Sequence, residues 1–164
     1  MKKTIVISTA MMLCATMFAG CTNSLKDKQE QSISVYSVSG ENEYFSISNG
    51  ILVLTSAEDI FYGGDLKETQ TEFDDITAYT VTFYVISDNE EHVLMSNRME
   101  EETGRGINIS GSIGKLTGHF VEQDADITLD NSMYCQLETT NLAGEEKEYL
   151  LPLNVTEVTE KAEK

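Results

Sequence analysis

Tyr79-Thr80-Val81-Thr82-Phe83-Tyr84-Val85-Ile86 reads as two interleaved faces, with Tyr79, Val81, Phe83 and Val85 on one and Thr80, Thr82, Tyr84 and Ile86 on the other. Side chains alternate across a strand but return to one face of a helix only about every 3.6 residues, so a period of two dictates a strand. Its residues are almost all β-branched or aromatic, which suits a pleated surface, and both faces are apolar enough for a central strand.

Working outward, the same period recurs in Ile33 to Val38, Glu43 to Ser48, Ile51 to Ser56, His92 to Asn97, Gly106 to Ile113, Leu116 to Val121, Met133 to Thr139 and Glu148 to Val155, and no segment makes a convincing long helix. About nine short strands spaced by turns predict an all-β fold, a single antiparallel two-sheet sandwich spanning residues 32–155, with a small closed barrel as the alternative. Asn49-Gly50 predicts a two-residue type I′ hairpin, because both central residues of that turn need positive φ. Such a hairpin pairs Ser48 with Ile51, Ile47 with Leu52 and Phe45 with Leu54, so Phe45, Ile47, Leu52 and Leu54 share a core face. Gly114-Lys115 offers a second hairpin, while Ser87 to Glu91 and Asn141 to Glu146 read as longer loops. Pro152 lacks a ladder donor and puts the last strand at a sheet edge or a bulge. Residues 156–164 are charged, show no apolar periodicity and read as a frayed, disordered tail.

The N-terminus follows another logic. Met1-Lys2-Lys3 is followed by an apolar run from Ile5 to Ala19, with no further charge until Lys26. That run falls short of the ~20 residues that cross a bilayer and matches the core of a signal peptide. Phe18-Ala19-Gly20-Cys21 resembles the lipobox of bacterial lipoproteins, with Phe18 where that family usually has Leu. The resemblance implies that residues 1–20 are a signal peptide, that Cys21 is acylated, and that the mature protein is lipid-anchored on the extracytoplasmic face of the cell membrane. One myristoyl-sized chain binds membranes only reversibly, so the two or three acyl chains of a lipoprotein cysteine are what make an anchor stable. Residues 21–31 then form a flexible, lipid-anchored tether.

Composition excludes several classes of function. The chain of 164 residues carries 28 acids against 11 bases, a formal charge of −17, and removal of Lys2 and Lys3 with the signal makes it more negative still. Nucleic-acid binding depends on Lys and Arg displacing counterions and is set aside. With Cys14 lost in the signal and Cys21 acylated, Cys135 has no disulfide partner. It alternates with polar neighbours in Met133-Tyr134-Cys135-Gln136-Leu137 and reads as a small buried hydrophobe, not a nucleophile.

Gly40-Glu41-Asn42-Glu43-Tyr44-Phe45-Ser46-Ile47, then Gly63-Gly64-x-Leu66 and the strand from Ala78 to Ser87, is similar to a group of small lipoproteins and secreted proteins of Gram-positive bacteria. Those proteins open with a Gly-Glu-Ser-x-x-Trp-like motif; here Asn42 and Phe45 replace the Ser and Trp. The resemblance implies an immunoglobulin-like β-sandwich and an envelope location, and it implies no activity.

Chemistry-bearing motifs are sparse. His92 and His119 each stand alone among strand residues, without zinc-ligand or triad spacing. The glycines between Gly104 and Gly118 lack the Lys and Ser/Thr of a phosphate loop. Asp124, Asp126 and Asp130 supply the hard oxygens that calcium takes, but without the glycine and terminal glutamate of an EF-hand loop, so a solvated connection is the preferred reading. Carboxylates are so abundant that any pair is poor evidence for glycosidase chemistry. The expectation is therefore a binding or protein-interaction module of the cell envelope, not an enzyme, using no cofactor or metal and partnered by the membrane and by another envelope protein. An accessory enzyme of wall polymers and a structural spacer are the alternatives.

Overall fold

A computed structural model describes residues 33–101, 103, 105–119, 129 and 132–159. In chain order the strands are β1 (Ile33–Glu41), β2 (Phe45–Thr55), β3 (Asp59–Tyr62), β4 (Asp65–Glu68), β5 (Ile76–Ser87), β6 (Glu90–Glu100), β7 (Gly111–Ser112), β8 (Lys115–Gly118), β9 (Met133–Asn141), β10 (Glu146–Pro152) and β11 (Asn154–Glu157). They form two antiparallel sheets, and neither closes into a barrel. Sheet A runs β11-β1-β2-β3-β8, with β4 continuing the β3 side of β2 and β7 pairing β4; sheet B runs β10-β9-β5-β6. The expected antiparallel two-sheet sandwich is what the chain adopts, and the stretch from Tyr79 to Ile86 sits between β9 and β6 in sheet B.

The core follows from the period of two. Val81, Phe83 and Val85 of β5 lie opposite Leu137, Cys135 and Met133 of β9, and all six are buried. Across the sandwich they meet Phe45, Ile47, Leu52 and Phe61 of sheet A, where the Phe61 ring stands edge-on to Phe83 at 5.0 Å between centroids. Burying each such side chain contributes about 1.5–3 kcal/mol. Among the described residues one polar group is out of place: the Thr139 hydroxyl is buried without a hydrogen-bond partner. An orphaned buried hydroxyl costs about 1–3 kcal/mol, so Thr139→Val is expected to stabilise the fold by about 1 kcal/mol in urea unfolding. An unchanged or lower midpoint would show that the hydroxyl is satisfied.

Asn49-Gly50 is not a hairpin. β2 runs straight through it, and β1 pairs it along its length, from Ile33 opposite Thr55 to Glu41 opposite Ser46. The register shifts between Val38 and Gly40, so β2 carries one extra residue there, and Asn49 takes φ 58. Asn tolerates the left-handed region in a bulge as well as in a turn. The extra residue swaps the parity of the strand: Phe45 and Ile47 point inward before it and Leu52 after it. The expected shared face is therefore real although the pairing behind it is not.

The true β1–β2 turn is built by Asn42, whose Oδ1 accepts from the amides of Tyr44 and Phe45, both at 2.9 Å. The tightest hairpin is Asp88-Asn89, with φ 53 and 63 and Ser87 opposite Glu90, where the sequence had suggested a longer loop. Gly114-Lys115 is not a hairpin either, since β7 pairs β4 and β8 pairs β3. Instead Gly63 donates to the Gly114 carbonyl and Ile113 to that of Gly64, so the bulge of β2, the Gly63-Gly64 joint and the Ile113-Gly114 joint lie side by side. Sheet A is creased along that line.

Glu148 to Val155, expected as one strand, divides between the sheets. β10 is an edge of sheet B, as Pro152 requires, while β11 pairs with β1 in sheet A, and buried Leu153 makes the crossing. Residues 156–159, assigned from the sequence to the tail, are tied down: Thr156 and Glu157 are paired with β1, Val158 donates to the Val35 carbonyl and the Thr159 hydroxyl accepts from the Val35 amide. The signal segment, Cys21, the tether and the remainder of the tail lie outside the described residues.

Candidate interaction surfaces

Because directly opposed residues of paired strands project to the same side, the registers define the solvent face of each sheet. On sheet B one row reads Glu148, Glu138, Thr80, Arg98 and the next reads Leu150, Gln136, Thr82, Ser96. The first row lines a shallow depression of about 300 Å³. Arg98 reaches Glu100 at 3.2 Å with both side chains in water, an arrangement worth little energetically. Farther along, the Tyr84 and Tyr134 rings stack at 5.6 Å, and burial with nearby Glu91 pushes the Tyr84 hydroxyl pKa up.

Of the two edge strands of sheet B, β6 is the longer, eleven residues against seven for β10, and among the described residues no strand pairs its outer side. A register shift between Phe83 and Tyr84 leaves Leu94 as an extra residue, so Leu94 and Met95 both turn into the core. Val93 and Met99 stay exposed, at 58% and 48%, and Glu90, Glu91 and Glu100 make the edge acidic.

The solvent face of sheet A is different in kind. One row reads Val35, Val53, Ile60, Thr117 and the next Ser37, Ile51, Tyr62, Lys115, with Ile33 opposite Thr55 beside them. Val158 extends the first row through its bond to Val35. Ile33, Ile51 and Val158 are exposed at 52%, 44% and 56%. No carboxylate occupies these rows, in a chain with 28 acids. The signal was present in the sequence: Ile51 and Val53 alternate with Leu52 and Leu54, and Ile33 and Val35 with Ser34 and Tyr36, so both faces of these strands carry β-branched or other apolar residues.

Of the residues singled out from the sequence, Cys135 is buried in the β9 core face, and desolvation drives its thiol pKa far up, which fits the expected inert hydrophobe. His92 lies exposed on β6 and His119 exposed just beyond β8. Cys21 and the calcium candidates Asp124, Asp126 and Asp130 lie outside the described residues. Among the described residues no three His, Cys, Asp or Glu side chains converge to hold a metal. Glu101 accepts from the amide and hydroxyl of Thr103, which hold its pKa below the usual carboxylate value. Comparison with protein-family models, with curated proteins and with solved structures gives no match.

Proposed function

We propose that the protein is a membrane-tethered lipoprotein of the extracytoplasmic face, acting without catalysis as an interaction module for another envelope protein. Phe18-Ala19-Gly20-Cys21 supports the tether. The observation that carries the interaction reading is β6, an edge of eleven residues whose outer side no strand covers among the described residues. A long edge is a template onto which an extended segment can add as one more strand, its backbone supplying affinity and its alternate side chains specificity. The bulge at Leu94 and the three glutamates discourage indiscriminate pairing with acidic chains, this one included, and favour a segment bearing Lys or Arg.

A photo-crosslinker at Ser96 tests both halves of the proposal in cells. In the wild-type background it is expected to capture one recurrent membrane-associated protein that a crosslinker at Ser39 does not. Combined with Cys21→Ser, the chain is expected to lose fatty-acid labelling and membrane retention, and the adduct with them. Normal retention and mobility of the Cys21→Ser chain would remove the lipoprotein reading, and identical adducts from both sites would remove the edge.

A further inference from the structure

The geometry points to a second contact, in which the solvent face of sheet A lies flat on the lipid bilayer itself. Val35, Val53 and Ile60 form one continuous row across three strands, and Ile51 and Tyr62 a second, ending at Lys115. Val35, Val53, Ile60, Ile51 and Tyr62 are each bonded to a neighbouring segment on both sides, so these rows offer hydrocarbon to lipid with their backbone groups already paired, the condition for contact with a bilayer. Tyr62 and Lys115 at the rim are the residue types that settle at the headgroup level.

Two observations select lipid as the occupant. The first is charge: a molecule at −17 is repelled by anionic headgroups over most of its surface, and these rows approach them without a carboxylate. The second is where the chain outside the described residues joins. It enters at Ile33, on this face, exposed and next to Val35. This part of the argument rests on the lipoprotein reading: an anchor at Cys21 holds the bilayer within about 40 Å of Ile33, the most that about twelve residues can span, so a weak apolar contact forms at high effective concentration. The anchor keeps the protein at the membrane, and the face sets its orientation, turning sheet B outward.

The test uses the full mature chain, acylated at Cys21, in vesicles of phosphatidylethanolamine and phosphatidylglycerol. An environment-sensitive fluorophore is attached at Ile51→Cys or, on the opposite sheet, at Val93→Cys; buried Cys135 stays unlabelled. The Ile51 probe is expected to shift to the blue and to be quenched by lipids carrying a nitroxide just beneath the headgroup, at a depth of about 5–10 Å. The Val93 probe is expected to respond to neither. Adding Val53→Glu should abolish the Ile51 response while leaving the protein on the vesicles. Equal responses at the two sites, or an Ile51 probe shielded from iodide without lipid quenching, would overturn the contact; the latter result, with a doubled mass, would assign the face to a second copy. Failure of the anchor reads separately, as a Cys21 peptide without the acyl mass and protein that floats free of vesicles.

Discussion

Gly64→Ala is expected to cost about 4 kcal/mol, a large share of the ~5–15 kcal/mol that keeps a typical domain folded. Gly64 sits at φ +78, and a Cβ there would lie 2.2 Å from the Ser48 carbonyl oxygen and 2.7 Å from the Gly50 amide nitrogen. Both atoms are backbone, so nothing can rotate away, and the left-handed conformation adds about 1–2 kcal/mol for any residue with a Cβ. Gly114→Ala is the matched control. It has φ +105 but nothing within 4 Å of the added carbon, so it should lose only the conformational share. Urea unfolding of the two variants separates strain from collision, and equal losses would mean that the joints of the crease do not press on one another.

Phe83→Ala is expected to destabilise the protein by about 3–5 kcal/mol, through lost transfer energy and the cavity left between the sheets. Phe83 is fully buried at the middle of β5, and its ring meets Phe61 across the sandwich. The double variant with Phe61→Ala should fall short of the sum of the single losses by about 0.5–1.5 kcal/mol, the worth of an aromatic pair beyond its area. Strict additivity would show that the sheets are held by area alone at this point.

What the sequence told of this fold was the part set by alternation. Val81, Phe83 and Val85 could be assigned to the core because each is flanked by residues of the other face, and Cys135 because it lies in step with Met133 and Leu137. Pairing was harder to read, since it depends on which turn each chain reversal uses. Asn49-Gly50 has the chemistry for positive φ, but that chemistry serves a bulge as readily as a hairpin; Asp88-Asn89 has it too and forms the hairpin. The split at Leu153 was hidden for a similar reason. Tyr149, Leu151, Leu153 and Val155 keep perfect alternation across it, because the chain passes from one sheet to the other while the same side of it faces the shared core. As for the candidate surfaces, the apolar residues Ile33, Val35, Ile51 and Val53 were visible in the sequence, but the edge position of β6 and the alignment of those residues into carboxylate-free rows are properties of strand order, which no local pattern writes.

The position of β1 has a mechanical consequence. It lies between β2 and β11, antiparallel to both, and its first residue is where the preceding chain enters. A pull on that chain directed along the strand axis shears the ladder bonds on both sides together, so that none can open before its neighbours. A load entering across the strands would peel the same bonds one pair at a time. β1 is thus set in the orientation that yields last under a load along its axis, with β11 acting as its second clasp.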